Sequence, residues 1–244
     1  MKLIFDGNTD KGCARPSNQD AFYIDPEGRY FIVADGMGGH AGGEVASRLA
    51  TETVQQFLDQ YWNSSSYDSD QILREAIARA NRAILQDQVA NPSRSDAGTT
   101  IVVVIFREQQ PWYCHVGDSR LYRLRGTKLE QISEDHTWIA RAIQNGVVDL
   151  DEARRHPWRH MLLQCLGRED LKVNQAHPIA LLPGDRLLIC SDGLTEELTD
   201  ERITHHLKTV RSSPYAVRTL IEAAKAKGGR DNITVIVITS DRAD

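Results

Sequence analysis

Four aspartates stand beside glycine or in a glycine-rich loop near the ends of apolar runs. Asp35 follows residues 30–34 and opens a loop containing Gly36, Gly38, Gly39 and His40, while Asp118 follows Gly117 and the run 112–116. Asp192 follows residues 186–190 and Ser191, and Asp231 lies in a glycine-rich loop just ahead of residues 233–239. A single Asp-Gly is ordinarily a turn. Four of them at strand ends, tens of residues apart, are what a sheet edge needs to gather carboxylates at one point, and Asp20 adds a fifth. The set offers hard oxygens without thiolates or clustered imidazoles, which favours Mg²⁺ or Mn²⁺ over zinc. So many carboxylates do not stay ionised together without cations between them, so more than one metal is implied. The glycines after Asp35 let backbone approach an ion or a phosphate closely, and the helix that follows aims its amides the same way.

The elements that would position these residues can be read from hydrophobic spacing. Residues 2–5 form a short strand ending at Asp6-Gly7, and 21–24 pairs with 30–34 across a turn at 25–28, which brings Asp20 near Asp35. Apolar residues at helical spacing from Val45 to Tyr61 and from Ile72 to Ile84 predict two long amphipathic helices, the second closed by Asn91-Pro92. The uninterrupted apolar run 101–106 predicts a strand buried on both faces. Further strands are expected at 112–116, 121–124, 129–132, 186–190 and 233–239, and helices at 199–207 and 214–227. Residues 136–167 are irregular, with short helices at 137–144 and 149–155, and are expected to form a flap inserted between metal-binding motifs. No repeat or linker divides the chain, which predicts one domain over residues 1–244.

Composition narrows the partners. The 244 residues are 41% hydrophobic, enough for a sizeable core, and carry a net charge of -5. No basic patch could track a nucleic-acid backbone. Apolar runs fall short of a membrane span and the N-terminus lacks a signal-peptide pattern, so a soluble, cytoplasmic, monomeric protein is expected. Cys13, Cys114, Cys165 and Cys190 are scattered singly and read as reduced thiols.

The segments RPSNQDAF, FIVADGMGGHAGGEVAS, DAGTT, HVGDSRLYRL, ISEDHT, LLICSDGLTEEL and GGRDNITVIVI resemble, in order, the motifs of the metal-dependent protein phosphatases, the protein phosphatase 2C family. The resemblance runs from about Asp10 to Ile238 and is greatest to stand-alone bacterial members, particularly cyanobacterial ones acting on the phosphorylated PII signalling protein, which share the HPWRH run of the flap. It implies an α+β fold, a four-layer α-β-β-α sandwich of two mainly antiparallel sheets. It also implies that Asp35 bridges two core metals, with the Gly36 carbonyl on one of them. Asp192 and Asp231 are then direct ligands, Asp20 holds the waters of the other ion, and Asp118 shares a third ion with Asp192. Arg15 resembles the phosphate-binding arginine, His40 the general acid and Asn232 a neighbour that orients the site.

These roles suit serine/threonine phosphoprotein hydrolysis. Two cations bridged by Asp35 would turn a shared water into a hydroxide aimed at phosphorus, Arg15 would fork the phosphoryl oxygens, and His40 would protonate the leaving oxygen, with no covalent enzyme intermediate. Two rivals use the same sequence. Cys114 and Arg120 have the C-x5-R spacing of cysteine-dependent phosphatases, although Asp118 inside that loop would repel a phosphate dianion. A phosphoprotein-binding pseudophosphatase would show losses among the site acids, and none is lost. In the flap, His160 and Arg159 are expected near the entering phosphoprotein, with phosphorylated PII a candidate substrate.

Overall fold

The computed structural model describes residues 2–39, 42–108, 110–153 and 156–241. In chain order these form β1 (Lys2–Asp10), β2 (Asp20–Ile24), β3 (Tyr30–Met37), α1 (Gly42–Tyr61) and α2 (Ser69–Ala90). There follow β4 (Gly98–Thr99), β5 (Ile101–Arg107), β6 (Gln110–Val116), β7 (Arg120–Arg125), β8 (Lys128–Gln131), α3 (Trp138–Gln144) and α4 (Leu150–Ala153). The last part holds β9 (His177–Pro178), β10 (Arg186–Cys190), α5 (Asp192–Thr195), α6 (Asp200–Thr209), α7 (Ser213–Lys227) and β11 (Ile233–Asp241).

Two antiparallel sheets, ordered β1-β11-β10-β7-β8 and β2-β3-β5-β6-β9, lie face to face, with β4 on the end of β3. Alternation along the strands explains the layers, because successive side chains point to opposite faces. On β5, Val102 and Val104 pack between the sheets with Phe31, Leu187 and Ile236. Ile101, Val103 and Ile105 face the other way, onto Leu58, Ile72 and Ile77 of α1 and α2. On β11, Ile236 and Ile238 point between the sheets while Val235 and Val237 meet Leu220 and Ile221 of α7. The architecture is the four-layer α-β-β-α sandwich, and β5 is buried on both faces as its sequence requires.

Several features depart from the sequence reading. Asp35 and Gly36 do not open a loop but lie within β3, which continues to Met37 because β2 pairs with it at Asp35 and β4 at Gly36 and Met37. β1 does not stop at Asp6-Gly7 but runs to Asp10, because β11 supplies nine antiparallel partners from Lys2↔Asp241 to Asp10↔Ile233. Gly7 sits inside this strand because a Cβ there would lie 2.8 Å from Ile24 and 2.9 Å from Ile236. A short helix, α5, begins at Asp192 itself, and β9 adds an edge strand through Trp112↔Pro178 and Tyr113↔His177.

The flap leaves and rejoins the sandwich at one neck. Thr137 bridges Leu162, and Thr99 bridges Leu166. His136 N–H donates to the Gly117 carbonyl at 3.0 Å and Leu163 N–H to the His136 carbonyl at 2.8 Å, so both ends of the flap hang from the residue preceding Asp118. The Asp149 carboxylate accepts the Glu152 N–H at 2.8 Å, a helix-start cap. No helix of the described residues is long and apolar enough to cross a membrane.

Candidate metal centre

The acids converge because each lies at the same end of the sandwich. Asp20 and Asp35 are direct cross-strand partners on β2 and β3. Asp192 opens α5 immediately after β10, and Asp231 immediately precedes β11, the strand paired with β10. Asp118 occupies the β6–β7 turn, where Gly117 adopts φ +104, a conformation that favours glycine. Arg15, Asp35, Asp118, His160, Asp192 and Asp231 all line one cavity of about 580 Å³, with Asp20 directly beneath Asp35.

Hydroxyl groups from both sheets fix the carboxylates from behind. Ser191 Oγ and Thr234 Oγ1 donate to Asp20 Oδ2 at 2.7 and 2.6 Å, which leaves Oδ1 buried with no partner among the described residues. Asp192 Oδ1 is likewise buried and unpartnered. Thr100 Oγ1 accepts the Asp35 N–H at 3.0 Å and bonds Ser119 Oγ at 2.7 Å, tying the Asp35 and Asp118 segments together. Asn232 holds the loop that carries Arg15. Its Oδ1 accepts the Gln19 N–H at 2.8 Å and its Nδ2 donates to the Lys11 and Ser17 carbonyls at 3.0 and 2.9 Å. Arg15 in turn donates through Nη2 to Asp231 Oδ2 at 2.6 Å, with half of its side chain in solvent.

Gly36 is one of the tight approaches in the site. A Cβ there would fall 2.1 Å from the Gly43 carbonyl oxygen and 2.5 Å from that of Gln19, so no larger residue fits between β3, the N-terminus of α1 and the Arg15 loop.

The electrostatics are those of a cation site. Burial, reinforced by the charges of Asp20, Asp192 and Asp118, pushes the Asp35 carboxyl well above the usual carboxylate range. Burial and the charges of Asp118, Glu196 and Asp231 do the same to Asp192. Asp20 is pushed up to about 6 by burial despite its two hydroxyl donors, and Asp118 to about 6 by burial and then by Asp135. Buried carboxylates that repel one another and keep oxygens without hydrogen donors fit divalent cations, whose charge relieves both penalties. The donor set is all oxygen, as Mg²⁺ or Mn²⁺ requires.

His160 reaches this site from the flap. Its Nδ1 lies 2.7 Å from Glu196 Oε1, and these two residues with Asp192 bring ligand atoms within 4.8 Å of one another. His40 lies outside the described residues. Glu196 was not singled out from the sequence, where the first of two acids in LTEEL carries no special signal. The buttressing Thr100, Ser119, Ser191 and Thr234 had one, since each is a hydroxyl residue at the end of an apolar run next to a candidate ligand or a strand holding one.

The cysteine-dependent alternative finds no support in the geometry. Cys114 lies in β6 rather than in a loop, its thiol is pushed up to about 12 by burial, and its Sγ is 3.6 Å from the Asn174 carbonyl. Arg120 is committed to the Asp135 carboxylate through Nε at 2.9 Å and Nη2 at 2.6 Å. Cys114→Ala is therefore expected to leave metal-dependent hydrolysis within about twofold of wild type, because no reacting group is lost. A drop of a hundredfold in a folded variant would return the thiol to the chemistry.

An α-β-β-α sandwich with an all-carboxylate centre at one edge defines the class, and comparison with known proteins gives the family. The model of the protein phosphatase 2C family matches residues 15–230, and the chain belongs to that family. It is 34% identical over 237 residues to the serine/threonine protein phosphatase PstP of Mycobacterium tuberculosis, covering 97% of this chain but 45% of that protein. The chain thus spans about half the length of that relative. It is 32% identical to the serine/threonine phosphatase stp of Listeria monocytogenes, over 96% of this chain and 94% of the other. A crystal structure of the PstP catalytic domain in complex with two manganese ions superposes with a TM-score of 0.88 at 31% identity, covering 98% of this chain and 99% of that one.

Proposed function

We propose that the chain is a metal-dependent serine/threonine phosphoprotein phosphatase, acting as one domain with residues 136–167 as its flap. The observation that supports this best is the convergence of Asp35, Asp118, Asp192 and Asp231 on one open cavity, with Asp20 paired to Asp35 beside it and with buried carboxylate oxygens that lack hydrogen donors. Mn²⁺ or Mg²⁺, when bound, supplies charge neutralisation and an activated water for attack on phosphorus. Asp35, the Gly36 carbonyl, Asp20, Asp192 and Asp231 hold the two core ions, in keeping with the two manganese ions of the PstP structure, and Asp118 with Asp192 holds a third. Arg15 presents its remaining guanidinium donors to the phosphoryl oxygens from the rim. His40 gives a proton to the departing serine or threonine oxygen, and Asn232 keeps Arg15 and Asp20 in register. The full set of acids speaks against a binding-only role.

The test is hydrolysis of para-nitrophenyl phosphate and of a phosphoserine peptide with Mn²⁺ or EDTA, in wild type and Arg15→Ala. Chelation should remove activity and Mn²⁺ restore it. Arg15→Ala should lower kcat/KM about 10- to 100-fold, the worth of a charge-assisted hydrogen bond. Activity that survives EDTA would overturn the metal reading. Phosphorylated PII as the substrate rests on the likeness of the His156–His160 run alone, and equal kcat/KM for phosphorylated PII and an unrelated phosphoserine peptide would remove it.

A further inference from the structure

A second cavity of about 610 Å³ adjoins the metal centre and shares Asp118, His160, Asp192 and Glu196 with it as a common wall. Part of its remaining wall is apolar, set among charged side chains. Ile139 and Ile143, four residues apart on α3 and so on one helix face, line it together with Ala153. Both isoleucines pack against the small flap core of Ala142, Val148 and Ala153 without being wholly buried there. Arg159, with no ion-pair partner among the described residues, and Arg230, paired with Glu197 at 2.9 Å, line it as well. The flap also carries three of the seven large hydrophobic side chains left exposed among the described residues, Val147, Trp158 and Met161. An apolar helix face in the wall of a cavity that opens onto the catalytic one is unexplained by phosphate chemistry, since a phosphoryl group needs none of it.

We infer that this cavity is a specificity subsite that takes an apolar side chain of the substrate protein close in sequence to the phosphoserine or phosphothreonine. The occupant follows from continuity: the phosphorylated residue fills the metal-lined cavity, and the chain on one side of it must pass over the shared wall into the hollow beside α3. Extended chain advances about 3.3 Å per residue, so only near neighbours of the phosphorylated residue can reach. An aliphatic side chain gains burial against Ile139 and Ile143. An acidic one would meet Asp135 and Glu196 on the same lining, and of the three guanidinium groups there Arg120 is bound to Asp135 and Arg230 to Glu197, which leaves Arg159 alone to answer it. The inference rests on the phosphatase reading and adds the class of sequence that the enzyme selects.

The experiment is a set of phosphothreonine peptides alike except for Ala, Leu, Asp or Lys at each position from three before to three after the phosphorylated residue. Each is assayed with Mn²⁺ beside para-nitrophenyl phosphate, using wild type, Ile143→Leu and Ile143→Ser, with Ile139→Ser as a second variant in case the first is unstable. Leu at one position should raise kcat/KM over Ala about tenfold, mainly through KM, as burial of one aliphatic side chain allows. That ratio should persist in Ile143→Leu and collapse toward one in the serine variants. Leu giving no gain at any position, Lys or Asp outscoring Leu, or a Leu gain that survives both serine variants would each overturn the subsite. Hydrolysis of para-nitrophenyl phosphate separates the two readings. If it proceeds while Leu gives no gain, the subsite alone falls, and if nothing is hydrolysed the phosphatase reading falls and takes the subsite with it.

Discussion

Asp35→Asn is expected to lower Mn²⁺-dependent hydrolysis by about 10³-fold or more and, in the same protein freed of metal, to raise the melting temperature. The activity loss corresponds to the several kcal/mol that metal catalysis supplies, because Asp35 lies at the centre of the acidic cluster. The stability gain has the same origin with opposite sign. Without cations, Asp35 is a buried carboxyl facing Asp20, Asp192 and Asp118, and burial and repulsion both disfavour its ionised form. An amide of the same shape removes a charge from that cluster and offers two N–H donors to oxygens that lack them, Asp20 Oδ1 and Asp192 Oδ1. Relief of about 1–3 kcal/mol raises the melting temperature by roughly 2–12 °C in a chain of this size.

The pH dependence has a definite sign. A carboxyl whose pKa is raised on folding favours the folded state below its unfolded pKa and loses that contribution as pH rises through the folded value. Because the Asp35 carboxyl is raised on folding, its metal-free penalty grows as pH climbs above the unfolded value of about 4, and the advantage of Asp35→Asn should therefore be larger at pH 7 than at pH 4. Saturating Mn²⁺ should reverse the order, since a ligand at about 100 times its Kd adds about 2.7 kcal/mol to wild type and little to the variant. Thermal melts with EDTA and with Mn²⁺ at both pH values decide the matter. A metal-free variant that melts at or below wild type would show that Asp35 is not held in an electrostatically unfavourable cluster.

The same cluster shows which features a sequence exposes. Asp35, Asp118, Asp192 and Asp231 were legible because each sits where an apolar run ends or begins, beside glycine or in a glycine-rich loop, and strand ends are local features. β10 was legible to the residue, Arg186–Cys190, because every one of its side chains is buried. β1 was not, since Asp6, Asn8 and Asp10 read locally as loop and become strand only through pairing with β11 more than 220 residues away. Glu196 and the hollow beside α3 belong to the same case. They exist as parts of a site only because the neck at Thr137 and Leu162 folds the flap back over α5, a contact that no local pattern encodes.

Asn232 gives the sharpest test of such a long-range contact. Its side chain makes three hydrogen bonds to backbone of the loop 11–19, and that loop carries Arg15 and leads into Asp20. The backbone of Asn232 is pinned as well, because a Cβ on Gly193 of α5 would lie 2.0 Å from its carbonyl oxygen. Asn232→Ala leaves the Gln19 N–H and the Lys11 and Ser17 carbonyls without that partner. At about 1 kcal/mol for each bond the loss is roughly 3 kcal/mol, or about 6–12 °C in melting temperature. The loop is then held at one end by the Cys13 and Ala14 N–H groups on the Gly229 carbonyl and at the other by the Gly36 N–H and Ser47 Oγ on the Gln19 carbonyl, and Arg15, between these anchors, loses its fixed position. A fall in kcat/KM of about 10- to 100-fold should follow, in line with the loss of an outer-shell group at a metal site. Asn232→Asp should not rescue it, because the carboxylate keeps the acceptor for Gln19 but opposes the two carbonyls with a charge instead of a donor. Hydrogen exchange distinguishes a local from a global effect. Amides of residues 11–20 in Asn232→Ala should exchange faster than those of β5 by more than the global loss explains, and equal acceleration throughout would mean that Asn232 serves general stability and not the placement of Arg15.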